Sequence, residues 1–162
     1  MKAIFVRTLV IWVVAVSFFT VIVTSCGNIS AKPPVKIDMK DGIHFFEGGL
    51  EKAVALAGKE HKPLFIMVHA SWCAVCKRMK KEVLPQKQAG DVFNDRFISL
   101  MVDYDSTEGV IIRSQYEVKG TPTFLFLGPD GKLINRAEGY QGISSLTGFA
   151  KNIQVDGKPV CN

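Results

Sequence analysis

Two cysteines separated by two residues, Cys73 and Cys76, are the side chains whose type and spacing suggest chemistry. A pair at this spacing can exchange thiols and disulfides, supply half of a zinc site, or form a structural disulfide. The pair follows an apolar run, residues 64–70, and opens a predicted helix. Helix N-termini stabilise negative charge, which lowers the pKa of a thiol there. Cys73 is therefore the predicted nucleophile, and Cys76, one turn further in, is the predicted thiol that resolves the mixed disulfide.

A zinc site is not expected at this pair. A closed structural zinc site takes four ligands, and the remaining cysteines and histidines offer neither a second close pair nor ligand-like spacing. These residues are Cys26, Cys161, His44, His61 and His69. Neither a metal nor another cofactor is therefore predicted, whereas a purely structural disulfide remains an alternative to redox chemistry.

The segments that must position the pair alternate between strand and helix patterns. Strands are predicted at residues 43–46, 64–70, 97–102, 123–127 and 132–137, and helices at 50–60, 108–116 and 146–153. The continuous apolar run 64–70 is typical of a central strand that is covered on both faces. Ser106 or Thr107 is the expected cap of the second of these helices, and the Gly-Pro-Asp-Gly turn at 128–131 predicts an antiparallel hairpin. The expected fold class is α/β, a mixed sheet with helices on both faces.

The N-terminal region has the pattern of an export signal. Lys2 and Arg7 precede an apolar run at residues 9–23, which is borderline in length for a membrane span. Val-Thr-Ser-Cys at 23–26 is similar to the lipobox of bacterial lipoproteins, which predicts cleavage before Cys26 and lipidation of that cysteine. An uncleaved anchor and plain secretion are the alternatives. The predicted organisation is a signal peptide at 1–25, a flexible tether at 26–41, one domain at 42–154 and a tail at 155–162.

The charge of the chain argues against a nucleic-acid partner. Loss of Lys2 and Arg7 with the signal, and of no acidic residue, lowers the formal net charge from +5 to +3. An excess of this size, without basic residues interleaved with aromatics, does not predict binding to a phosphate backbone. The densest basic cluster is interpreted as a solvated helix face; it comprises Lys77, Arg78, Lys80 and Lys81.

Two motifs resemble those of the thioredoxin family. Residues 72–77 read Trp-Cys-Ala-Val-Cys-Lys, and residues 120–123 read Gly-Thr-Pro-Thr at the start of a strand. In detail they are closer to exported thioredoxin-like lipoproteins and to the C-terminal domain of the disulfide-reducing transmembrane electron transporter. The resemblance covers about residues 42–153 and implies the thioredoxin fold.

The resemblance also implies roles for residues around the cysteines. Trp72 would form an aromatic wall beside the pair. Pro122 would be a cis proline that lies against the cysteines, and the backbone of Thr121 would pair with an extended client chain by strand addition. Trp72, Thr121 and Pro122 are therefore the expected substrate-binding residues.

The sequence departs from thioredoxin in two ways. Met67 stands where thioredoxin has a buried aspartate that can take the proton of the resolving thiol, and Ala-Val replaces Gly-Pro between the cysteines. Water, Asp103 or Glu82 could replace the acid, although solvated carboxylates are the simpler interpretation. His69 could stabilise a thiolate or lie on the sheet with its hydrogen bonds satisfied.

The resemblance favours a protein-disulfide reductase on the periplasmic side of the bacterial cell envelope. Its expected partners are disulfides of exported proteins, a membrane thiol–disulfide electron donor, and the membrane itself through the lipid anchor. Gly27 after the lipidated cysteine gives a preference for the outer membrane. Oxidative folding and a binding module with incidental redox activity are the alternatives, and Cys161 is expected to be either free or in an intermolecular disulfide.

Overall fold

Strand β1 (Leu64–His69) forms from the apolar run after Pro63 and lies inside a four-stranded sheet. The computed structural model describes residues 40–155 and the backbone of residues 158–159. Strand β1 pairs in parallel with β2 (Ile98–Asp103) and antiparallel with β3 (Thr123–Leu127), and β4 (Leu133–Glu138) extends the sheet antiparallel to β3. The near-continuous burial of β1 confirms the prediction of a strand covered on both faces.

Helices flank both faces of this sheet. Within residues 40–155 they are α1 (Gly49–Glu60), α2 (Ala74–Glu82), α3 (Lys87–Phe93), α4 (Thr107–Tyr116) and α5 (Ile143–Lys151). A separate antiparallel pairing joins β5 (Gln154–Val155) to β6 (Lys158–Pro159). The predicted α/β class with a mixed sheet is confirmed.

Two hydrophobic clusters lie on opposite faces of the sheet, because alternate residues of a strand point to opposite sides. Phe65 and Met67 belong to the cluster that contains Cys76 and residues of α2, α3 and α5. Ile66 and Val68 belong to the other cluster, which is closed by α1 and α4. The cysteine pair is therefore built into one of the two cores.

The cap of α4 and the β3–β4 hairpin form as predicted. The Ser106 hydroxyl oxygen accepts a hydrogen bond from the Gly109 N–H at 3.0 Å, so Ser106, and not Thr107, caps the helix. In the hairpin, the Gly131 N–H donates to the Gly128 carbonyl at 2.9 Å. Gly131 has φ +78°, a conformation that favours glycine, which explains the residue type at the turn.

The predicted first strand at residues 43–46 is wrong. The Ile43 N–H donates to the Leu84 carbonyl beyond the end of α2, at 3.0 Å. The Phe46 N–H instead donates to the Ser99 carbonyl in β2, at 2.8 Å. Because these two bonds go to different elements, the segment bridges them and forms no ladder.

Two elements have no counterpart in the sequence predictions. Helix α3 follows Pro85 and contains Gly90, and both residues interrupt an apolar helical pattern. A Cβ on Gly90 would lie 2.2 Å from the Asp41 carbonyl oxygen, so glycine permits this close approach of the backbones. The β5–β6 pairing falls partly in the segment for which only a tail was predicted.

No helix among the described residues is long and apolar enough to cross a membrane. The predicted signal segment, the predicted lipidation site Cys26, nearly all of the predicted tether, and Cys161, which was expected to be either free or in an intermolecular disulfide, lie outside the described residues.

Candidate active site

Cys73 is the N-cap residue of α2 and forms a disulfide with Cys76. The Cys73 N–H donates to the Ala70 carbonyl at 3.2 Å, which fixes the turn between β1 and α2. The Cys76 N–H donates to the Cys73 sulfur at 3.0 Å. The sulfur of Cys73 thus receives a backbone N–H of the first helical turn, where a thiolate is stabilised. The predicted placement of both cysteines is confirmed.

The two sulfurs differ in accessibility. Cys73 is 6% exposed and Cys76 is fully buried. Cys73 is therefore the more accessible of the two sulfurs, and the order of attack stays a prediction.

The Thr121–Pro122 peptide bond is cis and lies beside the cysteine pair. The Cys73 sulfur is 3.6 Å from the Thr121 carbonyl oxygen. The Pro122 carbonyl accepts a hydrogen bond from the Gly139 N–H at 2.9 Å, which ties this loop to the end of β4. The structure therefore brings Thr121 and Pro122 next to Cys73, as the resemblance implied.

Trp72 stands on the solvent side of the pair and is 62% exposed. Its indole N–H donates to the Asp105 carboxylate at 2.8 Å. Its ring meets that of Tyr104 edge to face, with centroids 6.1 Å apart. Two residues of the β2–α4 loop thus hold this exposed ring beside Cys73. Asp105 was missed in the sequence because the contact joins residues 33 positions apart.

Comparison with known proteins identifies the family. Residues 50–154 match the family described as thioredoxin-like domain. The chain belongs to the thioredoxin-like family. It carries the Cys73–Cys76 pair within the matched residues.

Curated relatives include the thiol:disulfide interchange proteins DsbD of two bacteria. The chain is 35% identical over 83 residues to that of Pseudomonas fluorescens, a match that covers 51% of this chain and 14% of the relative. It is 27% identical over 106 residues to that of Pseudoalteromonas atlantica, a match that covers 64% of this chain and 18% of the relative. The chain therefore spans less than a fifth of the length of these two relatives.

Solved structures agree on the thioredoxin fold. A proposed disulphide isomerase from Bacteroides thetaiotaomicron has 35% identity and a TM-score of 0.61, with 68% of this chain and 92% of that chain covered. A thioredoxin from Thermus thermophilus has 25% identity and a TM-score of 0.63, with 72% of this chain and 90% of that chain covered. The oxidised C-terminal domain of Neisseria meningitidis DsbD shares the fold at 23% identity and a TM-score of 0.57. The match covers 69% of this chain and 99% of that chain.

This thioredoxin-like chain carries a charged cluster on the cysteine side of its sheet, formed by His69, Lys80 and Asp103. Met67, two residues before His69, is fully buried, so the position of the thioredoxin carboxylate is apolar. The Lys80 ammonium lies 3.0 Å from the His69 ring nitrogen Nδ1. Asp103 is the register partner of His69 on β2.

Burial and charge shift the protonation equilibria of this charged cluster. Burial, and then the positive charge of Lys80, lower the pKa of His69 from 6.5 to about 4, against the opposing effect of Asp103. Burial also lowers the pKa of Lys80, and Asp103 again opposes the shift. Of the two sequence interpretations of His69, the histidine with a hydrogen-bonding partner is the one observed, and that partner is a lysine.

The other candidate acid, Glu82, lies in an exposed group. It accepts a hydrogen bond from Arg78 at 2.8 Å, and this bond is the main cause of its lowered pKa. Arg78 also lies over the Tyr140 ring, 4.4 Å from its centroid.

The interpretation of the basic cluster as a solvated face holds for Lys77, Arg78 and Lys81 but not for Lys80, which is half-buried. The signal for Lys80 was its position four residues after Cys76, on the same helix face.

Proposed function

We propose that the chain is a protein-disulfide reductase of the bacterial cell envelope that works through Cys73 and Cys76. The observation that carries this proposal is the position of Cys73, which caps α2 and lies 3.6 Å from the carbonyl of the residue before the cis proline. This arrangement combines an activated sulfur with a strand-like docking edge for the client.

The proposed reaction has two exchange steps. The Cys73 thiolate attacks one sulfur of a client disulfide, and the other client sulfur leaves as a thiolate that takes a proton from water. Cys76 then loses its proton and attacks Cys73, which releases the second client thiol. The client gains two electrons, and the chain ends with the Cys73–Cys76 disulfide, which is the state that the structure holds.

The client backbone would lie along Thr121 and pair with its main chain. Trp72 would cover the other side of the reacting sulfurs, held there by its bond to Asp105. Such docking relies on backbone groups and one aromatic ring, so it would accept clients of varied sequence.

Similarity to the thiol:disulfide interchange proteins DsbD supports the proposed partners. A membrane thiol–disulfide protein would reduce the Cys73–Cys76 bond again, and disulfides of exported proteins would be the clients. Lipidation at Cys26 would anchor the chain on the periplasmic side, with the outer membrane preferred. Labelling with a radioactive fatty acid checks the anchor, since Cys26→Ser should abolish incorporation of the label.

Insulin reduction with dithiothreitol as electron source tests the activity. The wild-type chain and Cys161→Ser, which keeps the pair, should both accelerate insulin precipitation, and Cys73→Ser should not. Equal rates for wild type and Cys73→Ser would refute the enzymatic proposal. A reduction potential of about −270 mV supports the reducing direction, whereas one of about −120 mV would indicate an oxidant.

Trapping identifies the client. Cys76→Ala should leave the mixed disulfide on Cys73 unresolved, so that client proteins co-purify under non-reducing conditions and separate on reduction. The double variant Cys73→Ser/Cys76→Ala is the matched control and should retain none of them.

A further inference from the structure

The charged cluster lies on the same face of the sheet as the cysteine pair. Phe65 and Met67 belong to the hydrophobic cluster that contains Cys76. Because side chains alternate along a strand, His69 also points to this face. Its carbonyl accepts the Tyr104 N–H at 2.7 Å, which secures the end of β1 just before the turn to Cys73.

Lys80 is placed close to Cys76 by the geometry of α2. Residues four apart are neighbours on a helix, with about 5–6 Å between their Cβ atoms. Long side chains on a helix lean towards its N-terminus, so the stem of Lys80 extends over the turn that carries Cys76. The contact with His69 then holds the ammonium group between the strand end and this turn.

The buried sulfur of Cys76 needs such a charge. Burial disfavours a thiolate and raises the pKa of a thiol, and Cys76 is fully buried. Met67, at the position of the thioredoxin carboxylate, has no group that could take or balance a proton. The first-turn N–H of Cys76 is directed at the other sulfur, Cys73.

We propose that the ammonium group of Lys80, held in place by His69 and Asp103, stabilises the thiolate of Cys76 during resolution of the mixed disulfide. The inference rests on the proposed function. Cys76 gives its proton to water, and its thiolate electron pair forms the new bond to the Cys73 sulfur. The bond between Cys73 and the client breaks, and the client thiolate leaves with the electron pair of that broken bond and is protonated by water. Lys80 keeps its proton throughout and acts by charge alone.

The surrounding groups are suited to hold a cation there. An ammonium group can only donate hydrogen bonds, so His69 Nδ1 accepts and the ring proton is on Nε2. Asp103 faces the same group from β2 and favours its charged form. A neutral histidine that accepts its hydrogen bond and a carboxylate that favours its charged form thus position Lys80 as a cation.

The test is the pH dependence of alkylation at a single thiol. The full chain with Cys26, Cys73 and Cys161 replaced by serine leaves only Cys76, and iodoacetamide is the probe. Lys80→Met should raise the pKa of Cys76, so that alkylation near neutral pH slows about threefold to tenfold, since a nearby opposite charge lowers a pKa by about one unit or more. Lys80→Arg keeps the charge and should stay within about twofold of the parent.

Lys81→Met removes the same charge from an exposed neighbour and is the matched control, expected to stay within about twofold. Equal rates for Lys80→Met and Lys81→Met would overturn the proposal. A slowing in Lys80→Arg as large as that in Lys80→Met would also overturn it, because the role would then depend on the shape of the side chain and not on its charge. Near-ultraviolet circular dichroism confirms that each variant is folded.

This readout separates the inference from the proposed function, because alkylation needs no client. Slower alkylation of Cys76 in Lys80→Met, together with a wild-type chain that fails to reduce insulin, would support the charge effect and refute the reductase. If the wild-type chain reduces insulin but Cys76 is alkylated at the same rate in Lys80→Met and Lys81→Met, the reductase is supported and the charge effect is refuted.

Discussion

The indole N–H of Trp72 donates to the carboxylate of Asp105 at 2.8 Å and thereby links the active-site turn to the loop after β2. The ring remains largely exposed, so this bond and the edge-to-face contact with Tyr104 hold its orientation. An exposed aromatic ring that is fixed in this way would lose little conformational entropy on binding the proposed client.

Asp105→Ala should loosen Trp72 and weaken client binding. Loss of one partially solvated hydrogen bond to a charged group is worth about 1 kcal/mol, so we expect the KM for a peptide disulfide to rise about fivefold with kcat little changed. In a Trp12→Phe background, the fluorescence anisotropy of Trp72 should fall. Asp95→Ala, which removes an exposed carboxylate elsewhere, should change neither quantity, and an unchanged anisotropy in Asp105→Ala would contradict the prediction.

Ser106→Ala should destabilise the chain by about 1 kcal/mol, the usual cost of losing a helix cap. The Ser106 hydroxyl accepts from Gly109 and donates to the Asp103 carbonyl, so both bonds are lost together. Thr107→Ala, at the exposed first position of the same helix, should cost less than half as much. Urea denaturation measures the free energy of unfolding of both variants, and equal losses of stability in the two would refute the assignment of Ser106 as the cap.

Phe65→Ala should lower the free energy of unfolding by about 3–5 kcal/mol, as is typical when a buried aromatic ring is removed. The Phe65 ring packs against those of Phe93, Phe124 and Phe126, the nearest with a centroid 4.5 Å away. Val110→Ala on the exposed side of α4 should change stability by less than about 0.5 kcal/mol. Denaturant unfolding followed by circular dichroism measures both, and a loss under about 1 kcal/mol for Phe65→Ala would contradict this packing.

Stability should fall as the pH is lowered from about 6.5 to about 4, in part because of His69. Its pKa is lowered to about 4 in the folded chain, so the unfolded chain binds the proton first and is favoured below about 6.5. The lost stability should be on the order of 1 kcal/mol, since the ring is partly screened by solvent.

His69→Gln keeps a hydrogen-bond acceptor but cannot titrate, so its stability should fall less over this range. His44→Gln, which replaces an exposed histidine, is the matched control. Thermal unfolding at several pH values compares the three chains. A parallel decline in wild type and His69→Gln would show that His69 does not contribute.

Much of the site was predictable because it depends on local patterns. The apolar run before Cys73 and the helix after it determine where both sulfurs lie, and the Gly-Thr-Pro-Thr segment indicates the cis proline through its resemblance to thioredoxin. Likewise, the Gly-rich turn at 128–131 predicts the hairpin, since few other residues adopt its backbone conformation.

The missed features depend on tertiary contacts. Residues 43–46 have the composition of a strand, but their N–H groups donate to three separate places: the Leu84 carbonyl, the Asn94 side chain and the Ser99 carbonyl. Lys80 lies among four basic residues of one helix, a pattern typical of a solvated face, and its partners His69 and Asp103 lie on β1 and β2, which the helix sequence does not reveal. Helix α3 was missed because its apolar pattern is short: Ala89, Val92 and Phe93 are buried, and Gly90 between them permits a close backbone approach to Asp41.

The difference in exposure between the two sulfurs has a consequence for side reactions of the proposed enzyme. A small disulfide compound that reacts with the reduced chain would form its adduct on Cys73, because Cys76 is shielded. Attack by the shielded sulfur would expel the attached group and close the Cys73–Cys76 disulfide. Cys76 would thus limit the lifetime of such adducts, and the same electron donor that serves the normal cycle would return the chain to its reduced form.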